Sequence, residues 1–257
     1  MKNKKVDFLI TVLLLAIGAI VSFYYNFSNP VVEFLYLGVP SLFLMIREKK
    51  NYKKIGWGVL IFGVLMGGFF DFIAKINNAW IFTKPLFPQL LIGDWLVENL
   101  FAYIFMALFV IVFYEHFLDD ENDRRLSKSH SKVFLFLLVV TALVYALFLI
   151  APDRLEFSYF YLKAGFAAII FPIIFAFYNP QIIKKFAPLA FFFFFVWVAA
   201  EFVGLSNGNW IFPATNQYVG SVNLLGVTFP FEEVFFWFMW YPAVIVAYYE
   251  YFIDDRG

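Results

Sequence analysis

The sequence predicts an all-α, polytopic membrane bundle of about eight transmembrane helices, arranged as two parallel four-helix repeats. Three observations carry this. Of 257 residues, 63% are hydrophobic, and the mean hydropathy is +0.79, whereas a soluble domain is closer to half apolar. The excess is laid down in eight runs that reach, or nearly reach, the roughly 20 residues a bilayer-spanning helix needs. A polar and aromatic pattern is also written twice. Phe70-Asp71-Phe72, Asn77 and Trp80-Ile81-Phe82 recur as Ala200-Glu201-Phe202, Asn207 and Trp210-Ile211-Phe212, at an offset of 130. Glu98 and Tyr114-Glu115-x-Phe117-x-Asp119-Asp120 recur as Glu233 and Tyr249-Glu250-x-Phe252-x-Asp254-Asp255, at an offset of 135.

The apolar runs cover residues 8–26, 31–46, 55–74, 95–117, 133–150, 159–178, 186–205 and 229–252. Only a helix satisfies its own backbone in lipid, so each run is read as one. The basic start Met1-Lys2-Asn3-Lys4-Lys5 resembles a signal peptide. No small-residue cleavage site follows near Tyr24-Tyr25-Asn26, so it reads as an uncleaved first helix. The repeats are 1–118 and 133–257, joined by a polar linker at 119–132. Lysine and arginine number 15 on the side of the N-terminus and 4 on the other. The positive-inside rule then places both termini in the cytoplasm of a multi-pass cell-membrane protein. With an even number of helices in each half, the halves point the same way.

Composition removes several classes of function. The net charge is zero, so no bulk attraction to nucleic acid exists. There is no cysteine, and His116 and His130 are too few and too scattered for a metal cluster. Gly56-Trp57-Gly58 is followed by Ile61 where a dinucleotide fingerprint needs glycine. The sequence therefore calls for no cofactor and no metal. The run Phe191 to Phe195 reads as lipid-facing and packed bulk.

Carboxylates within membrane spans are costly and mark function. Asp71 and Glu201 close the third helix of each half, and Glu98 and Glu233 open the fourth, all on the side away from the termini. Pro230-Phe231-Glu232-Glu233 starts the last helix, where proline is well placed. Glu232 and Glu233 either sit on the positive end of the helix dipole or supply a proton from a buried pocket. Asp71, Glu98 and Glu201 either pair with Lys75 or Lys163, bond loop backbone, or join the same cluster. Glu33, opening the second helix on that side, is a weaker candidate. Asn77 and Asn207 cap turns or orient carboxylates. Trp80 and Trp210 belong to an interfacial belt or line a cavity. The loops 75–94 and 206–228 are nearly uncharged, and irregular backbone of this kind is best tolerated where it lines a cavity. Asp119, Asp120 and Asp123 have the spacing that holds magnesium and diphosphate in prenyl-transferring enzymes, or form a solvated linker. Gly63-x-x-x-Gly67 reads as a close helix contact.

Pro230-x-Glu232-Glu233 before an aromatic helix, preceded by Asn207 and Trp210-Ile211-Phe212, resembles the integral-membrane lycopene cyclases. These are the heterodimeric enzymes of Gram-positive bacteria, their fused archaeal counterparts, and the cyclase half of the fungal bifunctional carotenoid enzymes. The resemblance covers almost the whole chain, with both small membrane units in one polypeptide. The first half departs from the pattern, having Trp95-Leu96-Val97-Glu98 and so only one of the two glutamates.

The resemblance implies a redox-neutral, intramolecular-lyase type of isomerase. It acts on a lipophilic polyene (lycopene or similar) in the bilayer and keeps company with other enzymes of the carotenoid pathway. A carboxylic acid protonates the terminal double bond, the cation is captured by an internal one, and a base removes a proton. Glu232 and Glu233 would be the acid and its partner, with Glu201, Glu98 and Asp71 completing the cluster. Asn207 and Asn77 would orient it, and Trp210, Trp80 and Phe231 would line the substrate site. Two other expectations stand beside this one. A transporter would rock its repeats about a midplane site, and a membrane prenyltransferase would use Asp119, Asp120 and Asp123.

Overall fold

The computed structural model describes residues 3–48, 51–89, 91–92, 95–119 and 126–254. Among the described residues the chain is a helical bundle with eight helices, of which seven are long and apolar enough to cross a membrane. These are α1 (Lys4–Tyr25), α2 (Asn29–Arg47), α3 (Tyr52–Ile76), α4 (Val97–Leu118), α5 (His130–Ile150), α6 (Phe160–Tyr178) and α7 (Pro180–Ser206). The last helix, α8 (233–252), is π-helical over Glu233–Trp240 and then α-helical over Tyr241–Phe252. Each helix is close to its apolar run, and α1, α3 and α7 extend beyond theirs through flanking lysines.

Helix α1 buries a single stripe of Asp7, Thr11, Leu15, Gly18 and Ser22, spaced by one helical turn. A Cβ at Gly18 would lie 2.7 Å from the Leu35 carbonyl oxygen, so glycine sets how closely α1 meets α2. Gly63 and Gly67 do the same between α3 and α4, where added Cβ atoms would meet the Tyr103 backbone oxygen and the Tyr103 Cβ. Helix α5 buries no residue and lies at the periphery. Helices α4 and α8 form the centre, with Phe109 to Tyr114 and Ala243 to Ala247 almost wholly buried.

The two repeats meet through contacts made in both directions. At the loop end, β1 (Ile81–Phe82) pairs antiparallel with β4 (Trp210–Ile211), and Ile81 faces Ile211, its own counterpart. At the opposite end, the Tyr114 hydroxyl donates to Glu250 and the Tyr249 hydroxyl donates to Glu115. Beside them Lys54 pairs with Asp254, and Lys185, one residue past the counterpart of Lys54, pairs with Asp119 at 3.3 Å. Reciprocal contacts between matched residues require a twofold relation. Because they occur at both ends of the bundle, the axis runs along the helices, and the four-helix repeats are parallel.

Each repeat also places a β-hairpin before its fourth helix. The first is β2 (Leu91–Ile92) with β3 (Trp95–Leu96), and the second is β5 (Ser221–Leu224) with β6 (Val227–Pro230). The second hairpin is longer, which is where the offset grows from 130 to 135. It turns at Leu225 and Gly226, both with positive φ (52° and 90°), the backbone of a two-residue hairpin turn.

Candidate active site

At the loop end of the bundle a partly open cavity of about 120 Å³ lies between α2, α4, α7 and α8. Three carboxylates line it: Glu33 from α2, Glu201 from α7 and Glu233 from the first turn of α8. No Lys, Arg or His is among its lining residues, and eight of the fifteen are aromatic, so the carboxylates face ring surfaces rather than counter-ions. Glu233 is near enough to Glu201 to interact with it as a charge, and Glu201 stands in the same relation to Glu33. Tyr161 adjoins Glu233. Glu201 accepts a hydrogen bond from the Trp210 indole at 3.1 Å.

The matching bond recurs in the first repeat, where the Trp80 indole donates to Asp71 at 2.7 Å. The surroundings differ. Asp71 is fully buried and accepts three further bonds, from Asn99 at 3.0 Å, from Tyr103 at 2.9 Å and from the Trp95 indole. At the matching positions of the second repeat stand Pro230, Val234 and Phe238, none of which can donate from its side chain. Glu201 has lost the donors that enclose Asp71 and faces the cavity instead.

Glu98 and Glu232 share a different role. Glu98 accepts from the backbone N–H of Leu86 (2.9 Å) and Phe87 (2.6 Å). Glu232 accepts from the N–H of Val219 at 2.6 Å. Each ties the long loop of its own repeat to the start of the fourth helix. The first glutamate of the Pro-Phe-Glu-Glu element, Glu232, anchors the loop, while the second, Glu233, lines the cavity.

The remaining sequence candidates separate in the same way. Trp80 and Trp210 line the cavity from the β1–β4 ribbon, so the uncharged loops form its roof. Asn77 and Asn207 bond backbone rather than carboxylates. The Asn77 amide donates to the Ile73 and Leu155 carbonyls and accepts from the Phe157 N–H, and the Asn207 amide donates to the Ser22 carbonyl. Phe231 is 55% exposed and does not line the cavity. Asp119 is buried and bonded to Lys185, while Asp120 and Asp123 lie outside the described residues.

Tyr103, Trp197 and Trp237 also line the cavity and were not singled out from the sequence. Trp197 lies four residues before Glu201 and Trp237 four after Glu233. That spacing puts each on the same helix face as its carboxylate. No protein-family model, curated protein or solved structure matches the chain.

Proposed function

We propose that this multi-pass membrane protein is a carotenoid cyclase of the lycopene type, closing the linear isoprenoid end group to a six-membered ring without net redox change. The observation that carries the reading is the cavity itself. It brings together three carboxylates with no cation and walls them with Trp80, Trp197, Trp210, Trp237 and further aromatic rings. A proton-initiated cyclisation needs this combination. It takes one carboxylic acid, one carboxylate, exclusion of water, and ring faces that attract a transient cation.

In this reading Glu233 delivers its proton to the terminal double bond, leaving a tertiary cation. The internal double bond attacks that cation, forming the ring carbon–carbon bond and moving the charge into the ring. Glu201, steadied as a carboxylate by the Trp210 donor, takes the proton that is lost as the ring double bond forms. One proton enters and one leaves, so the product is an isomer of the substrate, and exchange of both carboxyls with water between turnovers resets the site. The hydrocarbon reaches the cavity from the bilayer. The excess of lysine and arginine at the other end supports placing both termini in the cytoplasm.

The test is co-expression in cells that make lycopene. The wild-type chain is expected to shift the pigment from acyclic to cyclised carotene, and Glu233→Gln to abolish the shift at equal protein level. Unchanged pigment with well-folded wild-type protein would overturn the reading.

A further inference from the structure

A base that takes a proton in every turnover must lose it before it can act again. Of the three carboxylates that line the cavity, Glu233 and Glu201 have a part in the chemistry above and Glu33 has none. Glu33 lies near the start of α2, at the loop end of the bundle. Leu37, four residues on, lines the cavity with it, so both project from one helix face. Between them the Tyr36 hydroxyl donates to the Val196 carbonyl at 2.7 Å, fixing this part of α2 against the helix that carries Glu201. Glu201 is near enough to interact as a charge with Glu33 and with Glu233. The three differ in access. Glu201 and Glu233 are each 8% exposed, whereas Glu33 is half-buried. Among the described residues no hydrogen bond or ion pair engages the Glu33 carboxyl. The corresponding helix of the other repeat, α6, carries no Asp or Glu, so Glu33 lies outside the duplicated pattern and is particular to this cavity.

We propose that Glu33 is the proton relay of this site, carrying out to water the proton that Glu201 gains as each ring closes. This rests on the cyclase reading above. The Glu201 carboxylic acid passes its proton to the Glu33 carboxylate, which leaves Glu201 ionised and Glu33 neutral. Glu33 then gives the proton to water at the loop end and is a carboxylate again. One proton crosses and nothing is oxidised or reduced. An unengaged carboxyl suits this task, because it turns between Glu201 and water without breaking a bond to the protein. A separate exit also keeps the proton taken from the substrate from returning to Glu233. Glu233 is then refilled from water, and each ring closed draws a new proton from solvent.

The test follows lycopene conversion by the full-length protein in detergent and deuterium oxide, timing the first ring closed per protein separately from later ones. Glu33→Gln is expected to close the first ring at the wild-type rate, which also shows that the variant is folded. Later rings are expected to form about tenfold more slowly or worse or, where Glu201 hands its proton straight back to Glu233, to carry less than one deuterium each. Glu33→Asp, which keeps the acid, is expected to restore both the later rate and the single deuterium. A Glu33→Gln protein with wild-type later turnovers and one deuterium per ring would overturn the relay and leave the cyclase reading standing. First and later rings slowed equally would also overturn the relay, since Glu33 would then act in ring closure or in folding. Folded wild-type protein that closes no ring would overturn the cyclase reading, and the relay with it.

Discussion

Asp71 and Glu201 occupy matched positions in the two repeats, yet their environments assign them opposite roles, and amide substitutions separate these. In Asp71→Asn one oxygen remains, so two of the four donors (Trp80, Trp95, Asn99 and Tyr103) lose their acceptor. Hydrogen bonds to charged groups contribute about 1.5–3 kcal/mol each, so the loss comes to about 3–6 kcal/mol. At about 2–4 °C per kcal/mol for a chain of this size, the melting midpoint is expected to fall by about 6 °C or more. In Glu201→Gln the single acceptor for Trp210 is retained, and stability is expected to change by less than about 1 kcal/mol. Conversion is expected to fall by about a hundredfold or more, the usual scale for removing an acid–base group. The assay is thermal unfolding of the detergent-solubilised protein followed by tryptophan fluorescence, paired with pigment conversion. Equal destabilisation by both substitutions, or a stable Asp71→Asn protein that has lost conversion, would refute the division of labour.

Three further outcomes follow from the geometry. Lys54→Met leaves Asp254 buried without this partner, and is expected to destabilise the fold by about 3–5 kcal/mol, read as a lowered melting midpoint; an unchanged midpoint would show that the inter-repeat clamp is idle. A Cβ at Gly204 would come within 1.9 Å of the Trp210 ring, so Gly204→Ala is expected to push that indole from its place beside Glu201 and cut conversion at least tenfold, with an altered tryptophan spectrum as the check. Asp119→Asn is expected to retain conversion per folded molecule, because Asp119 lies at the far end of the bundle and is engaged with Lys185; loss of activity with intact folding would favour a diphosphate-using reaction instead.

The helices were legible because lipid demands long apolar runs, and the parallel arrangement because each half holds an even number of them. The β1–β4 ribbon was hidden: two residues per strand carry no periodicity, although Trp80-Ile81-Phe82 and Trp210-Ile211-Phe212 had already marked the segments that pair. The sequence grouped Asp71, Glu98, Glu201, Glu232 and Glu233 as one cluster, since it shows which side of the membrane a carboxylate is on but not what encloses it. The structure parts them by their neighbours. Donors at Trp95, Asn99 and Tyr103 close around Asp71, whereas Pro230, Val234 and Phe238 leave Glu201 open. Loop amides occupy Glu98 and Glu232. Glu33, a minor candidate in the sequence, joins the cavity because α2 packs against α7, with the Tyr36 hydroxyl donating to the Val196 carbonyl at 2.7 Å.

The central claim is that a carboxyl group in this cavity starts ring closure by adding a proton that solvent water ultimately supplies. Conversion of lycopene by the detergent-solubilised protein in deuterium oxide tests it most directly. The account predicts a cyclised product carrying a single deuterium for each ring closed, formed without added redox cofactor and absent with Glu233→Gln. A cyclised product free of deuterium, or one formed equally well by Glu233→Gln, would contradict it.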